Sequence, residues 1–189
     1  IRGSPVFVPV QDATVWATPL ATPHQRHAAR GAGGALLYRV EDVVEIAAEH
    51  GADHLIDYSR EDIRDRVKAL GGADVVYDPV GGDAFDASLR CINWEGRILA
   101  IGFASGKVPQ PPANILLVKN CAVLGLYWGA YLWRNPLIMQ NSLSELLSWH
   151  AQGQLKPHVS RTYPLEQARE ALADLLARRS TGKLVLTMR

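Results

Sequence analysis

Ala73-Asp74-Val75-Val76-Tyr77-Asp78-Pro79-Val80-Gly81-Gly82 is a short apolar run that ends in a turn carrying two glycines. Arg97-Ile98-Leu99-Ala100-Ile101-Gly102-Phe103-Ala104-Ser105-Gly106 repeats the arrangement. Between the two, residues 83–91 read as a helix and Trp94-Glu95-Gly96 as the turn into the second strand. Strand, helix and strand at this spacing imply a right-handed crossover between parallel neighbours. Ligands of open parallel sheets sit outside the carboxyl ends of the strands, where glycine lets backbone and ligand approach with no Cβ between them. The pair therefore predicts two strands of a doubly wound α/β sheet with a nucleotide-type site at their ends.

The same alternation extends in both directions. Residues 6–10 have strand-like side chains, although Pro9 counts against a central strand that needs its amide. Residues 12–30 hold two prolines and no glycine, so a helix could begin there only near Pro23. Residues 31–38 read as a second strand. Residues 41–50, with Val44, Ala47 and Ala48 at helical spacing, read as a helix stopped by Gly51. His54-Leu55-Ile56-Asp57 makes a third strand, and Ser59 with Asp62 suggests a capping box for a helix running to Leu70 before Gly71-Gly72. Beyond the proline-rich loop 108–113, residues 122–126 form another strand. Asn135-Pro136 then opens a helix that continues to Ala151.

From Gly153 the character changes: 155–159 look extended, Pro164-Leu165-Glu166 opens an amphipathic helix to Arg178, and 182–187 form a last strand. These strands have no evident place in a single doubly wound sheet. The expected division is therefore a dinucleotide-binding domain over 1–153 and a piece of a second domain over 154–189.

With 189 residues, 48% of them hydrophobic, 21% charged and a net charge of +1, the chain can bury one substantial core. It carries neither the basic footprint of a nucleic-acid partner nor a disordered composition. Cys91 and Cys121 are isolated and read as reduced, inert thiols. No apolar stretch reaches the length of a membrane helix and Ile1-Arg2-Gly3-Ser4-Pro5 is no signal peptide, so a cytoplasmic protein without a membrane partner is expected. The absent initiator Met reads as the mark of a fragment. His24 and His27 lack i,i+4 spacing and a neighbouring carboxylate, so no metal site is expected. No G-x-S-x-G elbow occurs. Asp78 stands at a strand end before Pro79, where a carboxylate serves either as a base or, more commonly, as an acceptor for turn amides.

Gly51-Ala52-Asp53-His54-Leu55-Ile56-Asp57-Tyr58, the turns at 77–82 and 101–106, Tyr127-Trp128-Gly129-Ala130-Tyr131, Lys156-Pro157-His158 and Thr181-Gly182-Lys183-Leu184-Val185-Leu186 occur in this order in one chain. From about Gly31 onward the sequence resembles the zinc-independent quinone oxidoreductases (zeta-crystallin-like) of the medium-chain dehydrogenase/reductase superfamily. The resemblance implies a Rossmann-like domain inserted between two portions of a GroES-like catalytic domain, of which 154–189 would be the C-terminal piece. It also implies NADPH-dependent reduction of a quinone, enone or other activated alkene or carbonyl. Two departures accompany it. The region 11–20 lacks the family's glycine-rich turn, so the pyrophosphate would lose its helix N-terminus, and the large N-terminal part of the catalytic domain is missing.

The resemblance also places candidate cofactor-binding residues, each with a plainer reading beside it. Gly102, Phe103, Ala104 and Ser105 would pass along the nicotinamide side, or form an ordinary turn with Phe103 in the core. Tyr127 and Trp128 would reach the same crevice, or pack in a core or dimer contact, and Asn114 would bond the cofactor or cap a helix. Tyr58 would lie near the adenine or its phosphate, or simply on the surface. Arg39, at the tip of the second strand, suits a 2′-phosphate and equally suits an exposed helix start. Lys183 matches a cofactor lysine or a solvated strand start. No side chain is identified as a catalytic acid or base.

Three functions follow from these readings: an NADPH:quinone oxidoreductase, an enoyl-thioester reductase, or a non-catalytic protein retaining the fold. A homodimer joined through the apolar strand 122–126 suits all three.

Overall fold

The computed structural model describes residues 6–9, 35–38, 52–58, 60–177 and 179–188. Six parallel strands form one sheet: β1 (Val6–Pro9), β2 (Ala35–Tyr38), β3 (His54–Asp57), β4 (Ala73–Asp78), β5 (Ile92–Ala100) and β6 (Ala122–Gly125). Their order is β3-β2-β1-β4-β5-β6. The chain thus builds outward from β1 to one edge, then crosses to β4 and builds to the other. The order reverses between β1 and β4, and such a switch point is where doubly wound sheets bind ligands. Pro9 does not exclude β1 from the centre. It is the last residue of the strand, and β1 registers with β4 only at Val6 and Phe7.

The core forms where helices α1 (Ile63–Ala69) and α2 (Gly82–Cys91) cover the sheet, burying Ile56, Val67, Val76, Phe85, Leu89 and Ile98. The cap of α1 differs from the expected box. Asp62 itself is the N-cap, its carboxylate accepting from the Asp65 amide at 2.9 Å, whereas Ser59 lies outside the described residues.

β5 begins at Ile92, earlier than the expected start at Arg97. The register passes from Ala73↔Ile92 to Val75↔Arg97, so the turn predicted at 94–96 exists as a bulge inside the strand. Glu95 takes φ 62° there, and Asn93 fastens the bulge by donating its side-chain amide to Gly71 O at 3.1 Å and Asp74 Oδ1 at 2.7 Å.

Helix α3 (Ala113–Lys119) follows the proline-rich loop, where one of the two readings of Asn114 has a helix begin. Its cap is Pro112 and Asn114 lies within it, so Asn114 is not a helix cap. Lys119 Nζ donates to Arg90 O at 2.9 Å and Ile92 O at 3.0 Å, fastening α3 to the end of α2.

After β6 come α4 (Tyr131–Arg134) and α5 (Pro136–Ala151), the latter opening at Asn135-Pro136 as expected, although the Asn135 side chain makes no capping bond. The tail resolves the question of its unplaced strands. β7 (Val159–Pro164) and β8 (Lys183–Thr187) pair in parallel as a separate two-stranded sheet, connected through α6 (Ala168–Leu176). Asp174 of α6 receives the Tyr163 hydroxyl at 2.5 Å and Arg161 at 2.7 Å, and pairs with Arg179 at 2.6 Å. Among the described residues no helix is long and apolar enough to cross a membrane.

Candidate functional site

All six strands of the large sheet are parallel, so the segments that follow them emerge at one end. At the end of β4, Asp78 is almost fully buried and its Oδ1 accepts the backbone amides of Val80 at 2.8 Å and Gly81 at 2.9 Å. The carboxylate therefore takes up turn amides, the commoner of its two expected uses. Burial raises its pKa, and the two amides pull the other way. Gly81 follows at φ 71°, and a Cβ there would stand 2.7 Å from Lys107 O. Only glycine fits that position.

The loop after β5 lies directly on this turn. Ile101 donates its amide to Asp78 O at 2.9 Å, Ala104 to Pro79 O at 3.1 Å and Ser105 to Val80 O at 3.0 Å. In return Gly82 donates to Lys107 O at 3.2 Å. The Ser105 hydroxyl donates to Val80 O at 2.8 Å and accepts the Lys107 amide at 3.2 Å. Gly102 passes so close to the first loop that a Cβ would stand 3.2 Å from Pro79 O. Phe103 is 46% exposed and so is no core residue, and its ring lies over Gly81.

Beyond β6, Leu126 donates to Ala100 O at 3.0 Å, which sets the start of the next segment beside the β5 loop. Tyr127 and Trp128 follow, 72% and 38% exposed. They face other rings of the same segment: Tyr127 meets Trp133 edge to face at 6.2 Å and Trp128 lies 5.4 Å from Tyr131. Tyr58, half-buried after β3, emerges at the same sheet end but three strand steps from β4, roughly 14 Å along the sheet. Arg39 lies outside the described residues, as do His24, His27 and the region 11–20. Lys183 opens β8 in the small sheet. Its amide donates to His158 O at 3.0 Å, and burial lowers the pKa of its side chain.

The structure thus brings Gly102, Phe103, Ala104 and Ser105 together with the β4 turn and sets Tyr127 and Trp128 in the segment that follows the neighbouring strand β6. Tyr58 stands apart at the far side, and Lys183 belongs to the other sheet. Lys107 and the carbonyls of Pro79 and Val80 were not legible as site-forming groups, because backbone acceptors leave no trace in residue type. Among the described residues no group of three or more His, Cys, Asp or Glu could hold a metal ion. What this sheet end offers is apolar ring surface beside glycine-bearing backbone, which fits a flat, weakly polar ring system held by main chain and aromatic contacts.

Comparison with known proteins agrees with the doubly wound fold. Residues 50–186 match the family described as zinc-binding dehydrogenase. The chain is 48% identical over 145 residues to the quinone oxidoreductase-like protein 2 homolog of Nematostella vectensis, covering 75% of this chain and 40% of that one. It is 38% identical over 152 residues to quinone oxidoreductase-like protein 2 of Mus musculus, covering 79% of this chain and 43% of that one. The chain therefore spans about two-fifths of the length of these curated relatives. Among solved structures, a Pseudomonas syringae quinone oxidoreductase superposes with TM-score 0.80 at 30% identity, over 98% of this chain and 57% of that one. The Escherichia coli quinone oxidoreductase complexed with NADPH does so with TM-score 0.80 at 26% identity, over the same shares.

Proposed function

The chain belongs to the zinc-binding dehydrogenase family, in the quinone oxidoreductase (zeta-crystallin-like) branch of the medium-chain dehydrogenase/reductase superfamily, and from that premise we propose that it binds NADPH for the reduction of a quinone or another activated alkene or carbonyl. The observation that carries the reading is the convergence of the β4 turn, the β5 loop and the Tyr127-Trp128 segment at the carboxyl end of a 3-2-1-4-5-6 sheet, beside its switch point. Bound NADPH would supply the hydride. Gly102 to Ser105 line the nicotinamide side, with Phe103 as an apolar wall that keeps water from the reacting face. Tyr127 and Trp128 extend that wall, Tyr58 serves the adenosine end, Arg39 the 2′-phosphate, and Lys183 approaches from the small sheet. The protein's part is position and exclusion of water, without an acid, a base or zinc among these side chains. Residues 1–153 form the dinucleotide-binding domain and 154–189 the C-terminal portion of the catalytic domain. The E. coli neighbour and a mycobacterial one with TM-score 0.81 and 26% identity, both complexed with NADPH, support the choice of cofactor.

An assay of NADPH oxidation against a simple quinone and against an enoyl-CoA tests the substrate class. Consumption with the quinone is the expected result. Consumption with the enoyl-CoA alone would reassign the chain to thioester reduction.

A further inference from the structure

Four backbone hydrogen bonds join the two loops at the sheet end, from Ile101 to Asp78 O, Ala104 to Pro79 O, Ser105 to Val80 O and Gly82 to Lys107 O, and two side chains reinforce them, Asp78 within the β4 turn and Ser105 across to it. Asp78 holds Val80 and Gly81 through one oxygen, at 2.8 and 2.9 Å, from inside the sheet. Ser105 holds the opposite side, its hydroxyl proton on Val80 O at 2.8 Å and a lone pair taking the Lys107 amide at 3.2 Å. Val80 is thus gripped at its amide by Asp78 and at its carbonyl by Ser105. The backbone bonds Ala104 to Pro79 O and Gly82 to Lys107 O close the seam around that grip. Phe103 depends on it: its Cδ1 lies 3.3 Å from where a Cβ on Gly81 would stand, so the ring rests on the residue whose amide Asp78 fixes.

We propose that Asp78 and Ser105 are positioning residues that lock the β4 turn and the β5 loop into one rigid seam, and that this seam, rather than contact of either side chain with a ligand, sets Phe103 as the wall of the nicotinamide crevice. The crevice assignment rests on the proposed function above, whereas the seam does not. Both the proton and a lone pair of the Ser105 hydroxyl are engaged within the protein, so Ser105 acts on the cofactor through the loop it fastens. The seam also lowers the entropic cost of binding, because the loop is ordered before a ligand arrives.

The test uses the full chain in the variants Ser105→Ala, Ser105→Thr, Asp78→Ala and Asp78→Asn, with amide hydrogen exchange measured without cofactor and NADPH affinity measured by fluorescence. Loss of one neutral hydrogen bond corresponds to roughly a five- to tenfold effect. Ser105→Ala is expected to speed exchange about tenfold at Val80 and Gly81, on the loop that was not altered. It is expected to weaken NADPH by a similar factor, and Ser105→Thr, which keeps the hydroxyl, to restore both. Asp78→Ala is expected to speed exchange at Ala104 and Ser105 across the seam, and Asp78→Asn, which keeps the acceptor, to spare it. If Asp78→Ala does not fold, the serine pair decides alone. Unchanged exchange across the seam in Ser105→Ala would overturn the proposal, as would unchanged NADPH affinity in that variant beside a binding wild type. A wild type that binds no NADPH would overturn the proposed function instead, and the exchange data would still decide the seam.

Discussion

Gly81 bears the sharpest steric demand in the site, with a left-handed φ and a neighbouring carbonyl 2.7 Å from any added Cβ. Gly81→Ala should therefore lower stability by about 1–3 kcal/mol, read as a shifted urea midpoint with unchanged slope. Burial pushes the Cys91 thiol up to about 11, well above the ordinary cysteine value. Iodoacetamide at pH 8 should leave Cys91 unmodified in the native chain and label it once urea has unfolded the protein, with mass spectrometry as the readout. Residue type reveals such features unevenly. An aspartate at a strand end before Pro79-Val80-Gly81 announces an acceptor for turn amides, since short acidic side chains habitually close such turns. Glu95 announces nothing. Its left-handed backbone is imposed by the register shift between β4 and β5 and would have been sought at Gly96.

At the scale of elements, the C-terminal β7-α6-β8 unit depends on one carboxylate. Asp174 takes the Tyr163 hydroxyl and two guanidinium groups, and the Tyr163 bond foremost, with Arg179 and Arg161 behind it, holds its pKa below the ordinary aspartate value. A carboxyl group depressed in the folded state adds stability above its unfolded pKa, and that stability is lost as pH falls through the lower folded value. Stability should accordingly fall as the medium passes below about pH 4. In Asp174→Asn this component is absent, so the difference between variant and wild type should shrink as acid is added. Urea midpoints that stay a constant distance apart from pH 7 to pH 3 would contradict it. Most of the elements were readable from period and punctuation, as at Asn135-Pro136 or in the run from Ala73 to Asp78. Helix α3 was legible only as one of two readings of Asn114, because a short apolar run behind a proline-rich loop has no distinct helical face. Its anchor, Lys119 on the carbonyls of Arg90 and Ile92, is a tertiary contact. Pairing of β7 with β8 was equally hidden, since two separated strands reveal a partner only when folded.

Taken whole, the molecule presents β6 as an edge strand with Leu124 exposed, and an apolar edge invites a second chain. The wild type should sediment as a dimer and Leu124→Lys should shift it toward monomer, with wild-type monomer at micromolar concentration as the opposing result. The doubly wound parallel sheet was legible from the spacing of strands and helices, because crossover chirality leaves few alternatives, whereas the order of its strands came only with the structure. The turns after β4 and β5 were legible because glycines mark strand ends, and their place on the nicotinamide side is part of the proposed function. The residues expected to face the phosphates, 11–20 and Arg39, lie outside the described residues. Titration of the folded chain with NADPH, followed by cofactor fluorescence and with NADH in parallel, tests the central claim most directly. The account predicts a saturable change with NADPH, tighter than with NADH, and a melting temperature that rises with NADPH concentration. A folded chain whose melting temperature and fluorescence ignore NADPH would contradict it.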